Sequence, residues 1–200
     1  MKQKVIYIPL FLLFSISGSL GQGTDLKWLN KINSPVNPTT DKAWQFISNS
    51  VTPISLATPI TMFVVGQATH NKELKIKSYK TGISLLVAGA ISSTLKITVQ
   101  RSRPFETYPN IIYQKTEVGS HSFPSGHTNF AFATATSLSL TFPKWYVIVP
   151  AYSYAAAVGY SRMYLGVHYP SDVLAGALIG AGSALLTWKA QKWITKKRKK

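Results

Sequence analysis

The sequence predicts an all-α fold: a bundle of five membrane-spanning helices behind an N-terminal export signal. Three observations carry this. Long apolar segments alternate with short polar or basic ones, no stretch alternates apolar and polar residues as a strand would, and the lysines gather at segment ends. Two hundred residues fit one domain. The chain is 46% hydrophobic yet carries a formal net charge of +16. Such a balance points to nucleic acid, anionic lipid or an anionic substrate. Nucleic acid fits poorly, because the lysines do not line one face and no nucleic-acid motif is present. There are no cysteines, which is compatible with export but does not demonstrate it.

Residues 1–21 have the form of an export signal. Lys2 and Lys4 precede an apolar core from Val5 to Ile16, and Ser19-Leu20-Gly21 offers small residues for cleavage before Gln22. A retained leader would add a sixth span. Residues 22–52 are polar with scattered aromatics. Pro35 and Pro38 predict a loop there, and Asp41 is the expected cap of a short amphipathic helix containing Trp44, Phe46 and Ile47.

The bundle is expected over residues 53–190. Its apolar segments run from Pro53 to Thr69, Thr81 to Val99, His127 to Phe142, Trp145 to Tyr160 and Ser171 to Trp188. They approach the roughly 17–25 apolar residues needed to cross a bilayer. Lys72, Lys75, Lys77 and Lys80 are expected in a basic loop between the first two. Gln100 to Pro124 reads as a long polar connection. Residues 191–200 form a basic tail. With Lys72–Lys80, Pro143-Lys144 and the tail inside, the path obeys the positive-inside rule. Gln100–Pro124 and Ser161–Pro170 then share the outer face. Gly176 and Gly180, one helical turn apart, offer a small-residue face for close packing.

Three stretches carry chemistry. Ser161 to Asp172 holds Arg162, His168 and Asp172, and Asp172 is the only acidic residue after Glu117. A carboxylate near a histidine can orient and polarise the imidazole, while an arginine suits phosphate. In the second stretch, Lys96 and Arg103 are seven residues apart at a helix end, with Pro104 stopping the helix. Both could reach one anion. In the third, Ser125, Gly126 and His127 open a helix whose first N–H groups can bind an anion. Ser125 adds a hydroxyl, and His127 stands where a general acid would be useful. Together these groups suit phosphoryl transfer, which needs cations around the equatorial oxygens, an in-line nucleophile and an acid for the leaving oxygen. Residue chemistry alone does not decide which histidine attacks, although Asp172 favours His168. No cluster has metal-ligand spacing, so neither a catalytic metal nor another cofactor is expected.

K-x6-R-P from Lys96 to Pro104, P-S-G-H from Pro124 to His127 and S-R-x5-H-x3-D from Ser161 to Asp172 resemble, in order, the three motifs of the type 2 phosphatidic acid phosphatase family. Bacterial acid phosphatases and vanadium haloperoxidases belong to the same superfamily. The resemblance covers Pro53 to Trp188 and implies a metal-independent phosphatase working through a phosphohistidine. It makes His168 the nucleophile, oriented by Asp172, and His127 the acid for the leaving group. It assigns Lys96, Arg103, Ser125, Gly126 and Arg162 to the phosphoryl oxygens.

The leading expectation is a cytoplasmic-membrane phosphatase with its site on the outer face. Its partners would be the membrane and a phospholipid or polyprenyl phosphate: polyprenyl diphosphate, phosphatidylglycerol phosphate, phosphatidic acid or a lipid A phosphate. Nucleic acid is not expected as a partner, and the sequence leaves the oligomeric state open. A soluble exported acid phosphatase competes, kept open by the mean hydropathy of +0.08. A haloperoxidase and a non-catalytic binder of anionic lipid are further alternatives; the binder would leave Asp172 and the histidines without a role. His121 is read as a loop residue in preference to a substrate contact, His70 has no role, Tyr160 and Tyr164 pack at the interface, and Glu106 either salt-bridges Arg101 or Arg103 or is merely solvated.

Overall fold

The computed structural model describes residues 23–119 and 121–197, with side chains followed to Ala190. The expected export signal and the end of the basic tail lie outside the described residues. Among the described residues the regular structure is helical throughout, with no strand. In chain order the helices are α1 (residues 23–32), α2 (Pro38–Asn49), α3 (Val51–Ala68), α4 (Lys72–Val99), α5 (Pro104–Thr107), α6 (Gly126–Thr141), α7 (Trp145–Tyr164) and α8 (Pro170–Lys197).

Two local expectations need correction. Asp41 does not cap α2. Asn37 does, accepting from the Thr40 N–H at 3.3 Å, while Asp41 turns inward to Lys115 and Tyr164. The expected basic loop from Lys72 to Lys80 is helical and forms the first turns of α4. Nothing there breaks a helix. Asn71 caps it through a 2.9 Å bond from Leu74 N–H, and Glu73 pairs with Lys77 one turn on at 2.8 Å.

The helix at the centre is α6. It packs on α3, α4, α7 and α8, most closely on α8. Its small residues make this possible. A Cβ at Gly180 would run into the backbone oxygen of Asn129, and one at Gly176 would lie 2.5 Å from that of Ser125. The expected small-residue face of α8 is therefore the seam with α6. Two polar side chains buried along α6 bond across to neighbouring helices: Asn129 donates to Ala88 O at 2.7 Å and Thr134 to Ser55 at 3.0 Å.

The outer surfaces are the reverse of a soluble protein's. Leu56, Ile60, Val64, Ile83, Leu86, Leu174 and Leu178 all stand exposed on α3, α4 and α8. Three helical runs, Pro38–Ala68, Lys72–Thr107 and Pro170–Ala190, are long and apolar enough to cross a membrane. The other two expected spans, α6 and α7, do not meet that description. The polar side chains of α6 face protein, so its composition understates how well it would tolerate lipid surroundings.

The helices alternate in direction, so the C-termini of α4 and α7 and the N-termini of α6 and α8 meet at one end of the bundle. Lys72, Lys75, Lys77 and Lys80 of α4 occupy the opposite end, where Lys77 donates to Thr141 O at the close of α6 at 3.3 Å.

Candidate active site

Each site residue sits at a helix terminus, and local chain chemistry sets it there. Helix α7 is closed just past its end by Gly166, whose φ of +75° requires glycine. Its N–H bonds Met163 O at 2.9 Å and that of Val167 bonds Arg162 O at 3.2 Å, the pairing of a Schellman motif. That turn leaves Arg162 on the last helical turn and sends the chain into His168. Pro170 then opens α8, and Asp172, two residues on, reaches back with Oδ2 to the Tyr169 N–H at 2.9 Å. The carboxylate therefore caps the helix and faces the imidazole at once.

His168 and Asp172 are both buried, with Nδ1 of His168 3.5 Å from Asp172 Oδ2. That separation falls outside hydrogen-bonding geometry, and Nδ1 has no other partner. Catalytic hydrogen bonds are often long before substrate binds. Burial pushes the His168 imidazole down to about 3; Asp172 opposes this, while Arg162 and Arg103 add to it.

The three stretches are bonded to one another. Arg103 donates to Val167 O at 2.7 Å, the Ser122 N–H to Arg101 O at 2.8 Å, and the Ser125 N–H to Asp172 O at 3.0 Å. Arg103 also donates to Gly119 O at 2.7 Å and His121 O at 3.1 Å, and Lys96 to His121 O at 2.7 Å. Arg162 donates to Ser48 on α2 at 2.5 Å, and its Nε is buried without a partner. Arg162, Arg103 and Lys96 all act electrostatically on His127. Among the described residues, no carboxylate oxygen forms an ion pair with any of these three cations. The structure thus concentrates positive charge that is not ion-paired beside two histidines, an arrangement fitted to an anion with several oxygens.

Helix α6 begins at Gly126 beside this cluster. Ser125 is its N-cap residue but its side chain accepts from no backbone N–H of the first turn; its hydroxyl shares a 2.8 Å bond with that of Thr128 instead. The first N–H groups of α6 are thereby left for an anion. All eight residues expected at the site are gathered around this end of the bundle. Glu106 is exposed and forms no salt bridge with Arg101 or Arg103: its carboxylate accepts from the Arg103 backbone N–H at 2.8 Å and caps α5. Three contributors were not anticipated. Arg101 bonds Asp172, Asp25 bonds Arg101, and Ser48 holds Arg162. Only Arg101 had a signal in the sequence, its place beside the expected Arg103.

A small polar cleft of about 210 Å³ adjoins the cluster, lined by Arg101, Ser102, Thr107, Tyr108 and Tyr169. Two larger cavities, of about 430 and 450 Å³, are apolar grooves lined mainly by α3 and by α4 with α8, toward the lysine end. They take no part in the site.

Residues 79–196, which contain all three stretches, match the PAP2 superfamily. The chain belongs to that family. Undecaprenyl-diphosphatase of Sulfolobus acidocaldarius is 35% identical over 115 residues, 56% of this chain and 55% of that protein. Lipid A 1-phosphatase of Rhizobium etli is 33% identical over 108 residues, 52% of this chain and 46% of that protein. The chain thus spans about half the length of these curated relatives. Among solved structures, the first transmembrane PAP2-type phosphatidylglycerolphosphate phosphatase from Bacillus subtilis superposes with a TM-score of 0.69 at 25% identity, covering 94% of this chain and 96% of that one. The match to a transmembrane PAP2 protein over nearly its whole length accords with the apolar outer faces of α3, α4 and α8. This PAP2 chain is a multi-pass membrane protein.

Proposed function

We propose that the protein is a membrane lipid phosphatase that removes a phosphate from a lipid phosphomonoester or diphosphate through a phosphohistidine. One observation carries this reading. Lys96, Arg103 and Arg162, whose side chains form no ion pair among the described residues, converge on the buried His168–Asp172 pair at one end of a bundle whose sides are apolar. The apolar sides also favour the membrane enzyme over a soluble acid phosphatase.

In the first step the Nε2 lone pair of His168 attacks phosphorus, and the phosphorus–oxygen bond to the lipid breaks. His127 gives its proton to the departing oxygen. Asp172 holds the Nδ1 proton of His168 and stabilises the charge that develops on the ring. Lys96, Arg103, Arg162 and the N–H groups at Ser125–Gly126 surround the equatorial oxygens. In the second step water attacks phosphorus, His127 takes a proton from that water, and the phosphorus–nitrogen bond breaks. Inorganic phosphate leaves and His168 is restored. No metal is assigned a part.

The substrate class rests on the bundle and on the relatives, which are named for polyprenyl and lipid A substrates. The cytoplasmic membrane, with the site on the outer face, follows from lysines at the opposite end. Phosphate release by purified protein in EDTA, across polyprenyl diphosphate, phosphatidylglycerol phosphate, phosphatidic acid and lipid A, tests the reading. Turnover of at least one lipid, well above that of a soluble phosphate ester, is expected. Activity confined to soluble esters, or lost in EDTA and restored by a divalent cation, would overturn it.

A further inference from the structure

Arg101 differs from the other site cations in its partners. One terminal nitrogen, Nη1, donates to Asp172 Oδ1 at 2.7 Å and to Ser171 Oγ at 2.8 Å. The other, Nη2, donates to Asp25 Oδ2 at 2.9 Å. Its guanidinium carbon lies 3.9 Å from the centre of the Tyr169 ring. Asp25, on α1, also accepts from the Ser171 N–H at 3.0 Å and from the Ser171 hydroxyl. Arg101 is thus held between two carboxylates and stacked on a ring, with three of its five N–H donors engaged by these groups.

We propose that Arg101 and Asp25 are positioning residues that fix the Asp172 carboxylate toward His168. The proposal rests on the phosphohistidine reading above. Asp172 has two oxygens and three claims on them: the Tyr169 N–H and His168 on Oδ2, and Arg101 on Oδ1. The Arg101 bond sets the rotation of the carboxylate about its stem, and that rotation sets whether Oδ2 meets Nδ1 of His168. An arginine alone on Asp172 would compete with His168 for its negative charge. Asp25 offsets that cost by supplying the guanidinium with a second anion. The charges then alternate along the chain Asp25, Arg101, Asp172, His168. The remaining charged groups near the pair are cationic or acquire charge only on protonation: Lys96 from α4, Arg103 from the connection, His127 from α6 and Arg162 from α7. Asp25 lies outside the region matching the family, so part of this chain's site comes from its own N-terminal segment.

The test is a double-mutant cycle on the full chain in detergent, reading single-turnover phosphoenzyme formation and steady-state KM. Arg101→Gln is expected to slow phosphoenzyme formation about 100-fold while KM stays within about twofold, because orientation and not phosphate binding is lost. Asp25→Asn should slow it about tenfold. Arg101→Lys should recover part of the loss, keeping charge without the fork. In an Asp172→Asn background, Arg101→Gln should cost nothing more. An equal loss in both backgrounds would mean a merely structural role, and a raised KM with unchanged phosphorylation would mean a phosphate contact; either overturns the proposal. Thermal unfolding checks that each variant folds, and if Arg101→Gln does not, Arg101→Lys and Asp25→Asn carry the same cycle. His168→Ala separates the two claims. Normal turnover in that variant removes the phosphohistidine itself, whereas an inactive His168→Ala beside a fully active Arg101→Gln removes only the positioning network.

Discussion

Arg162 on α7 donates to Ser48 on α2 at 2.5 Å across 114 positions of sequence. Both side chains are buried. The amphipathic segment before the bundle thus holds one of the three cations proposed to grip phosphate. Ser48→Ala should leave the protein folded but free the guanidinium to shift. A hydrogen bond to a charged group contributes roughly 1.5–3 kcal/mol, so a KM rise of about tenfold is expected. Steady-state kinetics with the preferred lipid checks this.

His168 gives a pH prediction. Its imidazole is pushed down to about 3 by burial, so it stays neutral, with its lone pair free, from about pH 5 to pH 8. Protonation, which would abolish attack, requires much stronger acid. Nitrogen NMR of selectively labelled histidine, assigned by loss of the signal in His168→Ala, should show the His168 imidazole neutral and not titrating in that range. Folding is linked in the same direction. The unfolded histidine takes up a proton below about pH 6.5 and the folded one does not, so this residue's contribution to stability is present above that pH and declines as the pH falls toward 3.

The α6–α8 seam predicts a contrast between two glycines. A side chain at Gly180 would meet the Asn129 oxygen and lie 2.9 Å from Ala133 N, whereas Gly182 has nothing within 4 Å. Gly180→Val should lower stability by about 1–3 kcal/mol or more, because backbone cannot yield as a side chain can. Gly182→Ala should leave it unchanged or slightly higher. Thermal unfolding in detergent compares them.

Much of the site was legible because it is written in short runs. Lys96–Pro104, Pro124–His127 and Ser161–Asp172 each place their residues by local helix geometry, and their convergence followed from an even count of crossings. What escaped the sequence is long-range pairing. Nothing in residues 22–52 marks Asp25 or Ser48 as partners of Arg101 and Arg162, because a buried hydrogen bond leaves no local pattern. The charge run from Lys72 to Lys80 reads as a loop in sequence, yet the Glu73–Lys77 pair one turn apart supports a helix there. Hydropathy also understated α6, whose Thr and Ser side chains face protein.

Sidedness follows from the lysine end. The chain has no native cysteine, so single cysteines at Asn110 and Lys72, both exposed, can report it. On intact cells an impermeant maleimide should label Asn110→Cys and spare Lys72→Cys. Labelling of Lys72→Cys alone would put the site in the cytoplasm, and labelling of both would favour an exported soluble protein.

The central claim is that His168 carries the phosphoryl group. The direct measurement is acid quench of the enzyme during turnover of a lipid labelled in its phosphate, followed by assay for protein-bound label. Wild type should hold an acid-labile, base-stable phosphoryl group, and a folded His168→Ala variant should hold none and release no phosphate. Near-normal phosphate release by that folded variant would contradict the account.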